Sequence, residues 1–165
     1  MGTKKWNEHP TIPVEAIDMA LNVDMVGRLR EDRLVVFGSR TGVGLRHFAV
    51  KHNTQLKRPM ALDFNWDLLA NSDHYPFFAK DIPVLFLHTG LHGQYHRPGD
   101  DADLIAWSGL ERITRLLVSL AHDAACRSEM PGFRHMATQE SEAYRRKLES
   151  SATSAQQRLG AAWDL

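Results

Sequence analysis

Pro83-Val84-Leu85-Phe86-Leu87 is a continuous apolar run of strand length, bounded by Asp81 on one side and by Thr89-Gly90 on the other. An apolar run without alternation needs cover on both faces, as in the buried strands of layered α/β proteins. Proline is tolerated because it stands first in the run. On the C-terminal side, Ala102 to Cys126 places Leu104, Ile105, Leu110, Ile113, Leu116, Leu117, Leu120 and Ala121 at three- and four-residue steps, which predicts an amphipathic helix. On the N-terminal side, Ala20 to Val26 predicts a buried strand with polar groups at its end, closed by Gly27. Arg33 to Phe37 is a second short strand, ended by Gly38 and Ser39. Thr41 to Asn53 has helix character, with Val43, Phe48 and Val50 as core candidates. Ser72 and Asp73 are good N-caps for a short helix running to Lys80. Strands alternating with helices predict an α/β layered domain and not a bundle.

A chain of 165 residues is the size of one domain and buries roughly 68–70% of its unfolded surface. Twenty basic residues balance twenty acidic ones, so no net field draws the chain to nucleic acid or to anionic lipid. No apolar run approaches the roughly 20 residues that span a bilayer, so no membrane partner is expected. Met1-Gly2-Thr3-Lys4-Lys5-Trp6 lacks the apolar core of a signal peptide, which points to the cytoplasm if Met1 is the true start. Cys126 is the single cysteine; it excludes an internal disulfide or a cysteine-rich zinc module, and its apolar helical setting predicts a buried thiol. A Pro-Gly turn between Met130 and Phe133 divides residues 1–128 from a tail over 129–165. Within the tail, Thr138 to Leu159 reads as a solvated or peripheral helix, with a partner-binding helix as the alternative.

Nine histidines are the unusual count, and they concentrate between His74 and His96. His88, His92 and His96 are spaced four apart, but Gly90 and Gly93 intervene. Each glycine costs about 1 kcal/mol in a helix interior, so Gly90 to Asp101 is a loop. A loop that follows a buried strand is where α/β proteins hold ligands and catalytic groups. Asp73 and His74 read as a cap and a hydrogen-bonded surface pair sooner than as catalytic groups. Asp24 ends an apolar strand, and a buried carboxylate is costly unless it faces a cation, a metal or several donors.

Three stretches together carry a resemblance. Asn22-Val23-Asp24-Met25-Val26-Gly27-Arg28 resembles the strand motif of the co-catalytic, two-zinc aminopeptidases, the family that also contains glutamate carboxypeptidases and, more distantly, glutaminyl cyclases. Ser72-Asp73-His74-Tyr75-Pro76-Phe77 is similar to that family's next motif. Ile82 to His92, followed by Tyr95-His96-Arg97-Pro98-Gly99-Asp100-Asp101, resembles its last. The resemblance covers about Lys5 to Ala125, in the right order and with compatible spacing. It implies a three-layer α/β/α sandwich around a mixed sheet, present here as its C-terminal portion, with residues 1–128 forming a partial zinc-aminopeptidase-like domain. It implies that Asp24 ligates one zinc and His96 the other, and that Tyr95 hydrogen-bonds the developing oxyanion. Asp100 and Asp101 are expected to cap the following helix, with a bond to the His96 imidazole as the alternative. The activity implied is hydrolysis of N-terminal peptide bonds through a metal-bound hydroxide, on peptide or protein substrates.

The departure from the family is as informative. Its members first supply a histidine, a bridging aspartate and a Glu-Glu pair whose first member is the general base. No residue before Asp24 fills those places; Glu8-His9-Pro10 resembles the segment that follows the pair. Each zinc is left with one protein ligand where about three are usual, and the base is missing. The chain alone is therefore expected to bind zinc weakly and to be inactive, and its uncovered sheet to self-associate. Two other readings remain open. One is a glutaminyl cyclase-like acyltransferase, in which a tryptophan commonly stands where this chain has Tyr95; the other is a non-catalytic peptidase-like module.

Overall fold

A computed structural model describes residues 2–130, 132–140, 142–143, 146–147 and 150–151. The apolar run becomes β4 (Val84–His88), an inner strand of a four-stranded sheet in the order β1-β4-β2-β3. Its companions are β1 (Ala20–Val23), β2 (Arg33–Phe37) and β3 (Ala61–Asn65). β1 runs parallel to β4 and β3 parallel to β2, while β2 and β4 are antiparallel, so the sheet is mixed.

Side chains alternate across a strand, and the two faces of β4 are buried in different ways. Leu85 and Leu87 join Leu34 and Val36 of β2 beneath α2 (Leu45–Thr54) and α4 (Trp107–Cys126), against Leu45, Phe48, Ile113, Leu116 and Leu120. On the opposite face Val84 packs with Leu68, Phe78 and Ala137. Phe78 ends α3 (Tyr75–Phe78), which in turn supports α1 (Gly2–Glu8). The fold is thus α/β with helices flanking a mixed sheet. The helices α2 and α4 are also joined by a buried histidine: the His52 ring bonds Ser119 Oγ at 2.7 Å and Asp123 Oδ2 at 2.8 Å.

Several local expectations are corrected. α2 starts at Leu45, not Thr41, because Gly44 takes φ +80°. Thr41 is used elsewhere: its Oγ1 accepts from the Val84 N–H and donates to the Gly38 carbonyl, pinning the end of β2 to β4. Val43 and Val50 are consequently exposed, and only Phe48 of the expected core trio is buried. The long C-terminal helix is split into a 3-10 turn over Ala102–Leu104 and α4 from Trp107. The Cys126 thiol is exposed, since it lies at the last turn of α4 beyond the sheet. Strand β3 was not expected at all. In the tail, residues 136–140 are helical, and the rest of the expected helix lies partly at 141, 144–145, 148–149 and 152–159, outside the described residues. The segment before it is anchored: Arg134 donates its N–H to the Thr41 carbonyl at 2.7 Å, and Glu140 pairs with Arg134 and Arg40.

Candidate functional site

Parallel pairing of β1 with β4 brings their C-terminal ends to one edge of the molecule, with Val23 opposite Leu87. Asp24 therefore emerges beside His88 and the loop that follows it, and its N–H still donates to the Leu87 carbonyl at 3.2 Å. The chain then turns at once, with Met25 at φ 52°. Left-handed geometry at a residue with a side chain costs of order 1–3 kcal/mol and persists only where neighbours enforce it. Thr89 does so, donating both its N–H and its hydroxyl to the Met25 carbonyl.

Asp24 is exposed, not buried as its place after an apolar strand suggested. Its Oδ2 accepts from Ser72 Oγ at 3.0 Å, and Ser72 Oγ accepts in turn from Asn22 Nδ2 at 2.9 Å. Ser72 thus holds the carboxylate, while α3 begins only at Tyr75 and has no side-chain cap. Asp73 accepts from Thr3 of α1 at 2.5 Å. The His74 ring is buried, stacks on Phe86 at 4.6 Å, and is held to a pKa of about 4 by that burial. It forms no surface pair with Asp73 and packs as a neutral aromatic ring against the sheet.

A cavity of about 550 Å³ opens at this edge, lined among others by Asp24, Met25, Arg28, His92, Tyr95 and His96. The structure thereby gathers all three sequence-derived candidates, Asp24, Tyr95 and His96, around one space. Tyr95 and His96 stack at 3.9 Å, and His96 itself takes φ 55°. The segment carrying them is a series of turns, so the three equally spaced histidines do not share a helical face. Behind it, His88 Nδ1 accepts from the Gly90 N–H at 2.7 Å. Burial lowers the His88 pKa, the Asp24 carboxylate opposes that, and His92 adds to it. Asp100 caps neither the 3-10 turn nor α4. Its carboxylate bonds Arg28, which holds it below the usual carboxylate range, and its other oxygen lies 3.8 Å from His92 Nε2. Asp101 makes no side-chain cap either.

Asp24 and His96 offer one carboxylate oxygen and one imidazole nitrogen, donors that zinc accepts, but fewer than the three of a catalytic site. Among the described residues no group of three or more His, Cys, Asp or Glu side chains is arranged to hold a metal. Three contributors escaped sequence reasoning. Ser72 looked like a cap, and Asn22 like a polar end to a strand. Arg28 meets its partners only across a long stretch of chain.

The family model of Peptidase family M28 matches residues 1–121. The LapA aminopeptidase of Legionella pneumophila superposes with a TM-score of 0.65 at 20% identity, covering 78% of this chain and 36% of that one. The aminopeptidase of Aneurinibacillus sp. strain AM-1 gives 0.59 at 21% identity, covering 74% and 30%. BSAP, a zinc aminopeptidase from Bacillus subtilis, gives 0.61 at 19% identity, covering 74% and 32%. The chain spans about a third of the length of the aminopeptidases whose fold it shares. No curated protein matches it.

Proposed function

Since the chain belongs to peptidase family M28, which it matches over residues 1–121, we propose that it carries the Asp24 and His96 side of a two-zinc aminopeptidase site. The convergence of Asp24, Tyr95 and His96 on one cavity at the ends of two parallel strands supports this reading most directly. Asp24 holds one zinc, with its carboxylate oriented by Ser72. His96 holds the other. Bound zinc supplies a Lewis acid and an activated water. Tyr95, exposed at the cavity and stacked on His96, donates its phenolic hydrogen to the oxygen that gains charge during hydrolysis. The substrate class is a peptide with a free N-terminus. The remaining ligands and the general base come from residues other than these 165.

Zinc content and hydrolysis of aminoacyl chromogenic substrates test the reading. The 165-residue chain is expected to hold zinc weakly and to give no turnover. A longer protein that adds a histidine, a bridging aspartate and a Glu-Glu pair is expected to regain both. Chelator-sensitive turnover by the short chain would sink the assignment of missing groups. Cyclisation of N-terminal glutamine by the longer protein would favour the acyltransferase reading instead.

Self-association belongs to the same reading. β1 is the outer strand of the sheet among the described residues, and its four residues are only partly buried. A parallel strand with a free edge is a template for pairing with another chain. Light scattering is expected to show a mass that rises with concentration; a compact monomer at high concentration contradicts it.

A further inference from the structure

The segments carrying Asp24 and the Tyr95-His96 pair are joined by two arginines that follow Asp24 closely in sequence. Arg30 Nη2 donates to the Leu91 carbonyl at 2.8 Å and to the Thr89 carbonyl at 3.3 Å, at the start of the loop. Arg28, whose side chain is only 14% exposed, closes the other end. Its Nη1 donates to the Leu104 carbonyl at 2.8 Å and its Nη2 to Asp100 Oδ1 at 2.5 Å. Between these anchors the backbone bonds are local turns: Tyr95 N–H to His92, Arg97 N–H to Gln94 and Asp100 N–H to Arg97. Local turns shape a loop without fixing it relative to β1. His96 at φ 55° also stores strain that a loosened loop would release.

A guanidinium presents its donors in a planar, rigid fork, so one side chain can meet a carboxylate and a carbonyl in fixed directions at once. Arg28 does this from a position four residues after Asp24 in the chain. We propose that Arg28 is a positioning residue: through Asp100 and the Leu104 carbonyl it fixes the loop bearing Tyr95 and His96 relative to Asp24, so that both zinc-holding side chains are in place before metal arrives. The proposal rests on the zinc reading above, and its tests separate the two.

Arg28→Met, Arg28→Lys and Asp100→Asn are made in the full chain, alone and with Arg28→Met combined with Asp100→Asn. Amide hydrogen exchange reads the loop, and competition with a chromophoric chelator reads zinc affinity in the same variants of the longer protein that adds the upstream ligands. Each single variant is expected to speed exchange at Tyr95, Arg97 and Asp100 about tenfold or more while leaving Leu116 in α4 unchanged. Each is expected to weaken zinc binding about 10–100-fold, the usual effect of losing a group that orients a ligand. Lysine is expected to fail like methionine, because a single ammonium cannot span both acceptors. The double variant is expected to be no worse than Arg28→Met, since both remove one interaction. Unchanged loop exchange overturns the proposal. Faster exchange with unchanged zinc affinity overturns it too, by reducing Arg28 to a structural role. In the longer protein that adds the upstream ligands, a wild type that binds zinc no better than its His96→Ala variant refutes the zinc reading itself, and the exchange data still decide whether Arg28 holds the loop. Should Arg28→Met fail to fold, Asp100→Asn carries the same comparison from the exposed side of the pair.

Discussion

His96→Ala is expected to empty one of two zinc positions and abolish hydrolysis in a protein that also carries the upstream ligands. The imidazole is this chain's only proposed contribution to that position. Removing one of about three protein ligands leaves a site that neither holds zinc tightly nor fixes a water. Its neighbour acts differently. Tyr95 stacks on the His96 ring at 3.9 Å, and its proposed role is to hydrogen-bond the developing oxyanion without binding metal. Tyr95→Phe keeps the ring and the stack, so zinc should stay bound while kcat falls about 10²–10³-fold, the usual loss for one oxyanion donor. Zinc content and kcat measured on the same samples separate the two roles. An active His96→Ala protein with both metals would remove His96 from the site, and a Tyr95→Phe protein with unaltered kcat would remove the oxyanion role.

Gly38→Ala is expected to destabilise the fold severely, and the comparison with Gly44→Ala isolates the reason. Both glycines are left-handed, at φ +77° and +80°. That conformation costs an alanine roughly 1–2 kcal/mol. A Cβ at Gly44 would meet nothing within 4 Å, so the conformational cost is all that Gly44→Ala incurs. A Cβ at Gly38 would come within 2.4 Å of the Val84 carbonyl oxygen and 2.9 Å of Val84 Cγ2. Val84 lies in an inner strand whose N–H is bonded to Thr41 Oγ1 and whose neighbours are the Gly38 turn itself, so the backbone has no free direction in which to yield. Overpacking adds roughly 1–3 kcal/mol and can exceed that where backbone must move. Urea unfolding of the two variants should show Gly38→Ala losing at least twice as much stability as Gly44→Ala. Equal losses would mean that β2 and β4 can part at this turn without cost.

Much of the fold is legible in the chain by itself because its strongest signals are local. The unbroken run Pro83 to Leu87 has one reading, a strand covered on both faces, and β4 is such a strand. The apolar spacing from Leu110 to Leu120 likewise specifies the buried face of α4, where Ile113, Leu116 and Leu120 all lie. The motifs around Asp24, Ser72 and Tyr95-His96 identify the family, since each keeps its residues within a few positions. What the sequence alone left undecided depends on contacts between distant segments. β3 alternates Leu62 and Phe64 with Asp63 and Asn65, a pattern too short and polar to announce a strand until β2 supplies its partner. Val43 and Val50 look like core residues, yet they are exposed because Gly44 sets the start of α2 and thereby the face it buries. Ser72 has the chemistry of a helix cap, and only the approach of β1 gives its hydroxyl to Asp24. Arg28 and Asp100 are separated by 72 positions, and no periodicity relates them. Local patterns carry secondary structure because the apolar period is set by the backbone. The partners of a hydroxyl, a guanidinium or a carboxylate are set by which chain segments the packed sheet brings together, and only the tertiary structure decides that.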